Sequence, residues 1–291
     1  MTPHEVPDKA RDAPRLAIAA AAFLVLIKGA GAWITGSLAL GSAALDSLID
    51  VFVSTANWIV IRRSAAPPDA EHAYGHGKFE NLAALGQGLF LAGGAVALVA
   101  SAVGRLRSGE PPRETGIGIA VLAVSLAVSH FVARHLRRAA RTADSPALEA
   151  DSLHYASDLW VNGAAAAALL VTAATGWTPA DPLVALGVAL YVFRTAAGLV
   201  LESLGVLSDR ALPPDELRRI QEVVASFRER GVLGMHDLKT RRGGGQRFIE
   251  LHLEIPRSTS FQDAHDLMVE VLRAIERELP RSKVFVHGDP V

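Results

Sequence analysis

Two short stretches place chemistry-bearing side chains inside apolar surroundings: DSLID at positions 46–50 and HYASD at 154–158. Asp46 and Asp50 stand at i and i+4, as do His154 and Asp158, so each pair stacks on one face of a helix. Two carboxylates a turn apart repel each other unless a cation or protons stand between them. One pair from each of two helices supplies four nitrogen and oxygen ligands, which suits the tetrahedral shell of zinc. Cysteine is absent from all 291 residues, which removes disulfides, thiol catalysis and thiolate ligands together, so any metal site must be built from histidine and carboxylate. Metal and protons compete for imidazole and carboxylate, so loading releases protons and protonation expels metal. Four protein ligands leave no open position for an activated water, and no HExxH motif or nucleophile and base pair is evident, so an enzyme is not expected. The competing reading is a set of polar contacts between helices, or a proton relay without metal.

The elements that carry these pairs read as membrane helices. Half of the residues are hydrophobic although one in five is charged, and the apolar ones crowd between Leu16 and Leu204. A bilayer-spanning helix needs roughly 20 predominantly apolar residues. Six segments approach that rule, beginning at Leu16, Ser37, Phe79, Thr115, Ala147 and Asp181. A charged side chain near the bilayer centre costs roughly 2.5–3.5 kcal/mol on insertion scales, so the carboxylates of the second and fifth segments must face protein, water or a ligand. Lysine and arginine gather on the side of the N-terminus (Lys9, Arg11, Arg15, Arg62, Arg63, Lys78, Arg134, Arg137, Arg138, Arg141), against Arg105, Arg107 and Arg113 on the other. That bias predicts both termini in the cytoplasm. The polar, acid-containing start of the chain is not followed by a small-residue cleavage site, so a cleaved signal peptide is not expected. Net charge near zero implies neither nucleic acid nor an acidic partner.

After Asp209 the pattern changes to that of a small soluble domain. PPDELRRIQEVVASFRER has the start and period of a helix, and GMHDLKTRR and QRFIELHLEI read as strands joined at Gly243 to Gly245, a hairpin signal. A second helix from about Ser260 to Glu278 and a strand at KVFVH complete the order helix, strand, strand, helix, strand. Alternation places Ile249, Leu251, Leu253 and Ile255 on one face of the second strand and His252 on the other, more polar one. The predicted fold class is therefore a six-helix membrane protein with a small C-terminal α+β domain. The expected division is a tail at 1–14, a transmembrane domain at 15–207 and a cytoplasmic domain at 208–291.

DSLID and HYASD on the second and fifth of six spans, followed by such a domain, resemble the cation diffusion facilitator family, closest to its bacterial zinc and iron exporters. The resemblance runs from about Arg15 to Pro290. It implies a homodimeric, proton-coupled antiporter in the cytoplasmic membrane that exports divalent metal, with metal ions, protons and the lipid bilayer as its partners and no organic cofactor. The transport site falls on Asp46, Asp50, His154 and Asp158. In the family this set is associated with Zn²⁺ and Cd²⁺, whereas replacement of the first positions often accompanies manganese or iron preference. An Fe²⁺ or Mn²⁺ exporter and a membrane metal sensor that transports nothing are the alternatives.

The same resemblance singles out further residues. Asp69, His72 and His76 in DAEHAYGHGKFE match a metal site in the loop between the second and third spans. Lys78 and Asp209 match a charge pair tying the two parts of the molecule together at the dimer interface. His236, His252, His265, His287 and Asp289 match a two-metal site between the soluble domains of the dimer; their spacing alone does not reveal it. His4, His130 and His135 match none of these patterns. Between spans four and five some relatives carry a histidine-rich loop; here RHLRRAARTADSP leaves an arginine cluster that reads as topology or contact with anionic lipid.

Overall fold

The computed structural model describes residues 12–36, 38–108, 116–177 and 179–291. Most of the expected N-terminal tail, together with His4, Lys9, Arg11, Ser37, Arg113 and Thr115, lies outside the described residues. Two compact units emerge: one comprises residues 79–204 with most of the chain before Pro67, the other Pro67–Lys78 with Gly205–Val291.

Among the described residues, the first unit is built from six long helices: α1 (Ala13–Thr35), α2 (Leu38–Ser64), α3 (Lys78–Ser108), α4 (Gly116–Ala143), α5 (Pro146–Thr175) and α6 (Ala180–Leu207). Their ends follow local chemistry. Pro146 opens α5 behind the Ser145 cap, whose hydroxyl accepts from the Leu148 amide at 3.3 Å, and Gly176 in left-handed backbone closes it. Among the described residues, α1, α2, α3 and α6 are long and apolar enough to cross a bilayer by composition alone. Helix α4 ends in a run of arginines, and the first half of α5 carries Glu149, Asp151, His154 and Asp158.

Small residues form the contacts. Ala13 and Ala17 of α1, Ile61 of α2, Ala133, Leu136 and Ala140 of α4 and Ala147, Leu148 and Tyr155 of α5 make one buried cluster, so these four helices approach closely. Ala84, Ala150 and Leu199 pack α3, α5 and α6 together. The outward surface is apolar: Leu26 is 71% exposed, Leu170 73% and Trp33 90%, an arrangement suited to lipid rather than water.

In the second unit α7 (Pro214–Ala225) is followed by a 3₁₀ turn (Arg228–Arg230), β1 (Gly234–Gly243), β2 (Gln246–Ile255), α8 (Phe261–Glu278) and β3 (Ser282–Pro290). The observed order is the expected one, although the first helix ends at Ala225 instead of running to Arg230. The strand order is β1-β2-β3, with β1 antiparallel and β3 parallel to β2. Gly244, with φ of 61°, makes the turn between β1 and β2 in backbone that favours glycine. Ile249, Leu251, Leu253 and Ile255 are buried against Ile220 and Val224 of α7 and Leu267, Val271 and Ile275 of α8. Both helices thus cover one face of the sheet and leave the other open.

Candidate metal centres

Among the described residues, three groups of side chains converge closely enough to hold a metal ion, each with its candidate ligand atoms within 4.8 Å of one another: Asp50 with His154 and Asp158, Asp69 with His72 and His76, and His236 with His252 and Asp289. All nine residues were singled out from the sequence.

In the helical unit, α2 and α5 face each other as their paired spacing requires. His154 Nε2 donates to Asp50 Oδ1 at 2.8 Å and lies 3.9 Å from Asp158 Oδ2. The histidine is buried, 5% exposed, between Phe90 of α3 and Tyr155. Asp46 is not drawn into the group. It sits a turn away on α2 and is exposed, where the Asp50 charge opposes it and Lys28 of α1 attracts it. Lys28 also donates to Ser47 Oγ at 2.8 Å and acts electrostatically on Asp158. Sequence reasoning passed over this lysine, although a cation within LVLIKGAG carries the same cost argument as the aspartates.

A second missed residue is Asp151, fully buried one turn before His154. Its Oδ1 accepts from Ser54 Oγ at 3.3 Å, and Ser54 lies 3.4 Å from the Tyr155 hydroxyl, which donates to the Ala17 carbonyl. Beside it Asn57 donates to Gln87 at 2.8 Å. These groups join α1, α2, α3 and α5 in one polar layer next to the site. At the ends of the helices Glu80, also buried, accepts from Ser64 of α2 at 2.6 Å and from Ser145, the cap of α5. The sequence signal for both acids was their place at the edge of apolar segments, which is weaker than a paired spacing.

The loop group belongs to the second unit. Asp69 Oδ1 accepts from the amides of Glu71 and His72 at 3.0 and 2.6 Å, and its two oxygens reach His72 Nδ1 at 3.3 Å and His76 Nε2 at 3.2 Å. The His72 amide bond, above all, holds the Asp69 carboxyl below the usual carboxylate range, so it is ready as an anionic ligand. The loop rests on the β1–β2 hairpin: Tyr74 meets Phe248 edge-on at 5.5 Å, with Arg241 over its ring at 4.4 Å. Gly77 permits this approach, since a Cβ there would come within 2.3 Å of the Gly243 carbonyl. It also explains why Phe248 is buried on the otherwise polar face of β2. Lys78 Nζ pairs with Asp209 at 2.8 Å, and Arg241 reaches the same carboxylate oxygen at 3.3 Å. The Lys78 bond, followed by Arg241, keeps Asp209 below its ordinary range.

The third group follows from strand register. His236 is directly opposite His252, and His252 is the partner of His287, so three histidines form one row across the sheet on its open face. Asp289 sits at the end of the row, with Oδ2 at 3.0 Å from His236 Nε2 and 2.9 Å from His252 Nδ1, and Oδ1 at 3.3 Å from His287. The His252 hydrogen bond is the main reason its carboxyl is held below the ordinary range. Glu254, 3.1 Å from His236, and Asp237, at a bulge 3.8 Å from His252, add carboxylates that the sequence did not single out. His265 is not brought in: it is exposed on α8, stacked on Phe261, while the row is on the face that α8 does not cover.

Histidine and carboxylate groups gathered between apolar helices, and again on the second unit, are the side chains that a membrane protein handling metal cations needs. Comparison with known families gives the class its name: the cation efflux transmembrane domain matches residues 15–208 and the cation efflux cytoplasmic domain residues 212–291. The chain belongs to the cation efflux family, the cation diffusion facilitators, whose members are transporters and not enzymes. It is 42% identical over 279 residues to the cation-efflux pump FieF of Escherichia fergusonii, covering 95% of this chain and 92% of that one. The FieF pump of Citrobacter koseri is 41% identical over the same length and coverage. A solved structure of CzrB in its Zn form is 38% identical over 28% of this chain and 92% of its own, with a TM-score of 0.27. The metal-bound C-terminal domain of the CzcD transporter from Thermotoga maritima is 26% identical over 27% and 94%, with a TM-score of 0.25.

Proposed function

We propose that this cation efflux transporter exports divalent metal, Zn²⁺ foremost and Cd²⁺ with it, from the cytoplasm in exchange for protons. The observation that carries the reading is the convergence of Asp50, His154 and Asp158 between two helices, with Asp46 a turn away on the same helix. Borderline ligands without sulfur suit zinc, and affinity order alone does not exclude Fe²⁺ or Mn²⁺. Movement of Asp46 toward Asp50 completes a four-ligand set when a cation cancels their repulsion. Protonation of the same four side chains then releases the ion, which makes the site an exchanger.

The rest of the reading follows the same lines. All six long helices span the cytoplasmic membrane, residues 15–207 forming the transmembrane domain and residues 208–291 the cytoplasmic one, with both termini inside. The protein acts as a homodimer, its cytoplasmic domains contacting each other. Asp69, His72 and His76 bind cytoplasmic metal on the loop, and His236, His252, His287 and Asp289 bind it on the sheet, with His265 contributing from α8 across the dimer. Lys78 and Asp209 act as the hinge.

Purified protein in sealed vesicles, an imposed pH gradient and an internal zinc-sensitive dye test this. Zinc influx that follows the gradient and disappears in Asp50→Ala and Asp158→Ala is expected. Flux that survives both substitutions unchanged would sink the site assignment, and flux indifferent to the gradient would sink the proton coupling. Repetition with cadmium, iron and manganese ranks the substrates.

A further inference from the structure

We propose that the arginine face at the C-terminal end of α4 is a binding site for an anionic phospholipid headgroup. Arg134, Arg137, Arg138 and Arg141 fall at i, i+3, i+4 and i+7, all four are exposed, and so they share one outward stripe. The opposite face of the same turns is occupied: Val132, Ala133, Leu136, Ala140 and Ala143 are buried in the contact with α1, α2 and α5. The stripe therefore cannot turn inward without unpacking the bundle. Arg137 and Arg141 act on Glu149 of α5, which Asp144 and Glu202 adjoin. The four guanidinium groups outnumber these three carboxylates.

The depth of the stripe fits a headgroup. About 20 residues of helix cross a hydrocarbon core of about 30 Å. Counted from Gly116, that length ends near His135, and Arg134 to Arg141 then rise about 10 Å through the headgroup layer. Just below the stripe Phe131 is 63% exposed, and offers an apolar surface to an acyl chain. The same end of the bundle carries Trp58, held between the guanidinium groups of Arg15 and Arg62 at 5.4 and 5.0 Å, in keeping with an interfacial anchor. Planar guanidinium groups bind a phosphodiester through paired hydrogen bonds, which selects a phosphate-bearing anionic lipid over a zwitterionic one whose own ammonium competes. In the orientation proposed above, this lipid belongs to the cytoplasmic leaflet.

The experiment is a thermal melt of the detergent-solubilised full chain with dioctanoyl phosphatidylglycerol, dioctanoyl phosphatidylcholine or inorganic phosphate. Phosphatidylglycerol at about 100 times its Kd is expected to raise Tm by about 5 °C, and the other two by less than about 1 °C. R134Q/R137Q/R138Q/R141Q should lose the rise, and R107Q, at the other end of the membrane unit, should keep it. Where the fourfold variant does not fold, R134Q/R138Q is expected to lose about half of the rise. An equal rise in wild type and these variants, a loss in R107Q as well, or a rise with inorganic phosphate matching that with lipid would overturn the proposal, the last in favour of a soluble anion. No metal and no flux enter the readout, so its failure is separate from failure of the transport reading.

Discussion

The site between the helices and the histidine row on the sheet use the same ligand types in opposite settings. The His154 side chain is 6% exposed, whereas that of His236 is 48% exposed. In a low-dielectric interior the charges of Asp50, Asp158 and His154 act strongly on one another, so gain or loss of a cation there must move protons or helices. On the open face of the sheet water screens the same charges, and metal can come and go with little structural cost. One arrangement suits transfer and the other suits equilibrium with the surrounding metal.

Substitution should separate the two most sharply. Asp50→Ala or His154→Ala is expected to lower zinc flux by more than about 100-fold, beyond the 10–100-fold that loss of an outer-shell partner costs. His252→Ala should leave flux at saturating zinc within about threefold, while abolishing the zinc that equilibrium dialysis detects on the cytoplasmic unit. Comparable flux losses from both would erase the distinction between a carrier site and a sensing site. A smaller effect is expected of Asp46, which stands outside the converged group: Asp46→Asn should weaken zinc affinity by about tenfold, less than Asp50→Asn. Equal losses from the two would mean that Asp46 is as much a ligand as Asp50.

The two sites also differ in how far the sequence discloses them. Helical spacing is local, so DSLID and HYASD each announced a shared face, and the cost of burying charge said that the faces must meet. The identity of the soluble elements was readable for the same reason, since Ile249, Leu251, Leu253 and Ile255 alternate within one strand. Register between strands is not local. That His236, His252 and His287 form a row depends on a hairpin turn at Gly244 and on β3 returning parallel to β2, and only the family resemblance pointed there. Hardest to see were Lys28, Asp151 and Glu254, whose roles come from other elements packing against them.

The charge pair that follows the loop offers a finer test. Taken alone, the pair predicts that reversing both members, Lys78→Asp with Asp209→Lys, preserves assembly better than either single reversal. Arg241, 3.3 Å from Asp209, alters that expectation, because it is left facing a like charge in the double variant. Recovery should therefore be partial, and adding Arg241→Glu should complete it, as read by the flux assay and by chemical crosslinking of the dimer. An exposed pair is worth only about 0–1 kcal/mol, so the effect should be positional and visible in flux more than in melting temperature. Full recovery in the double variant would mean that Arg241 plays no part.

The smallest effect belongs to stability in acid, and it should fall on one unit only. Glu216 of α7 accepts from Arg242 at 2.7 Å and from Arg247 at 2.8 and 2.9 Å, and the Arg247 bonds, with Arg242 behind them, hold its carboxyl below the ordinary value of 4.5. A carboxyl depressed on folding contributes stability that is present above its unfolded pKa and is lost as pH falls through its folded one. The cytoplasmic unit should accordingly lose stability below about pH 4.5, over the window between those two values. Glu216→Gln should flatten that loss while lowering stability at neutral pH, where its two arginines go without their counter-charge. Urea titration followed by Trp-independent far-ultraviolet signal from the full chain at pH 7 and pH 4 measures both changes. An acid loss of the same size in wild type and Glu216→Gln would place the sensitive group elsewhere, with Asp209 and Asp289 as the next carboxyls held below their ordinary range.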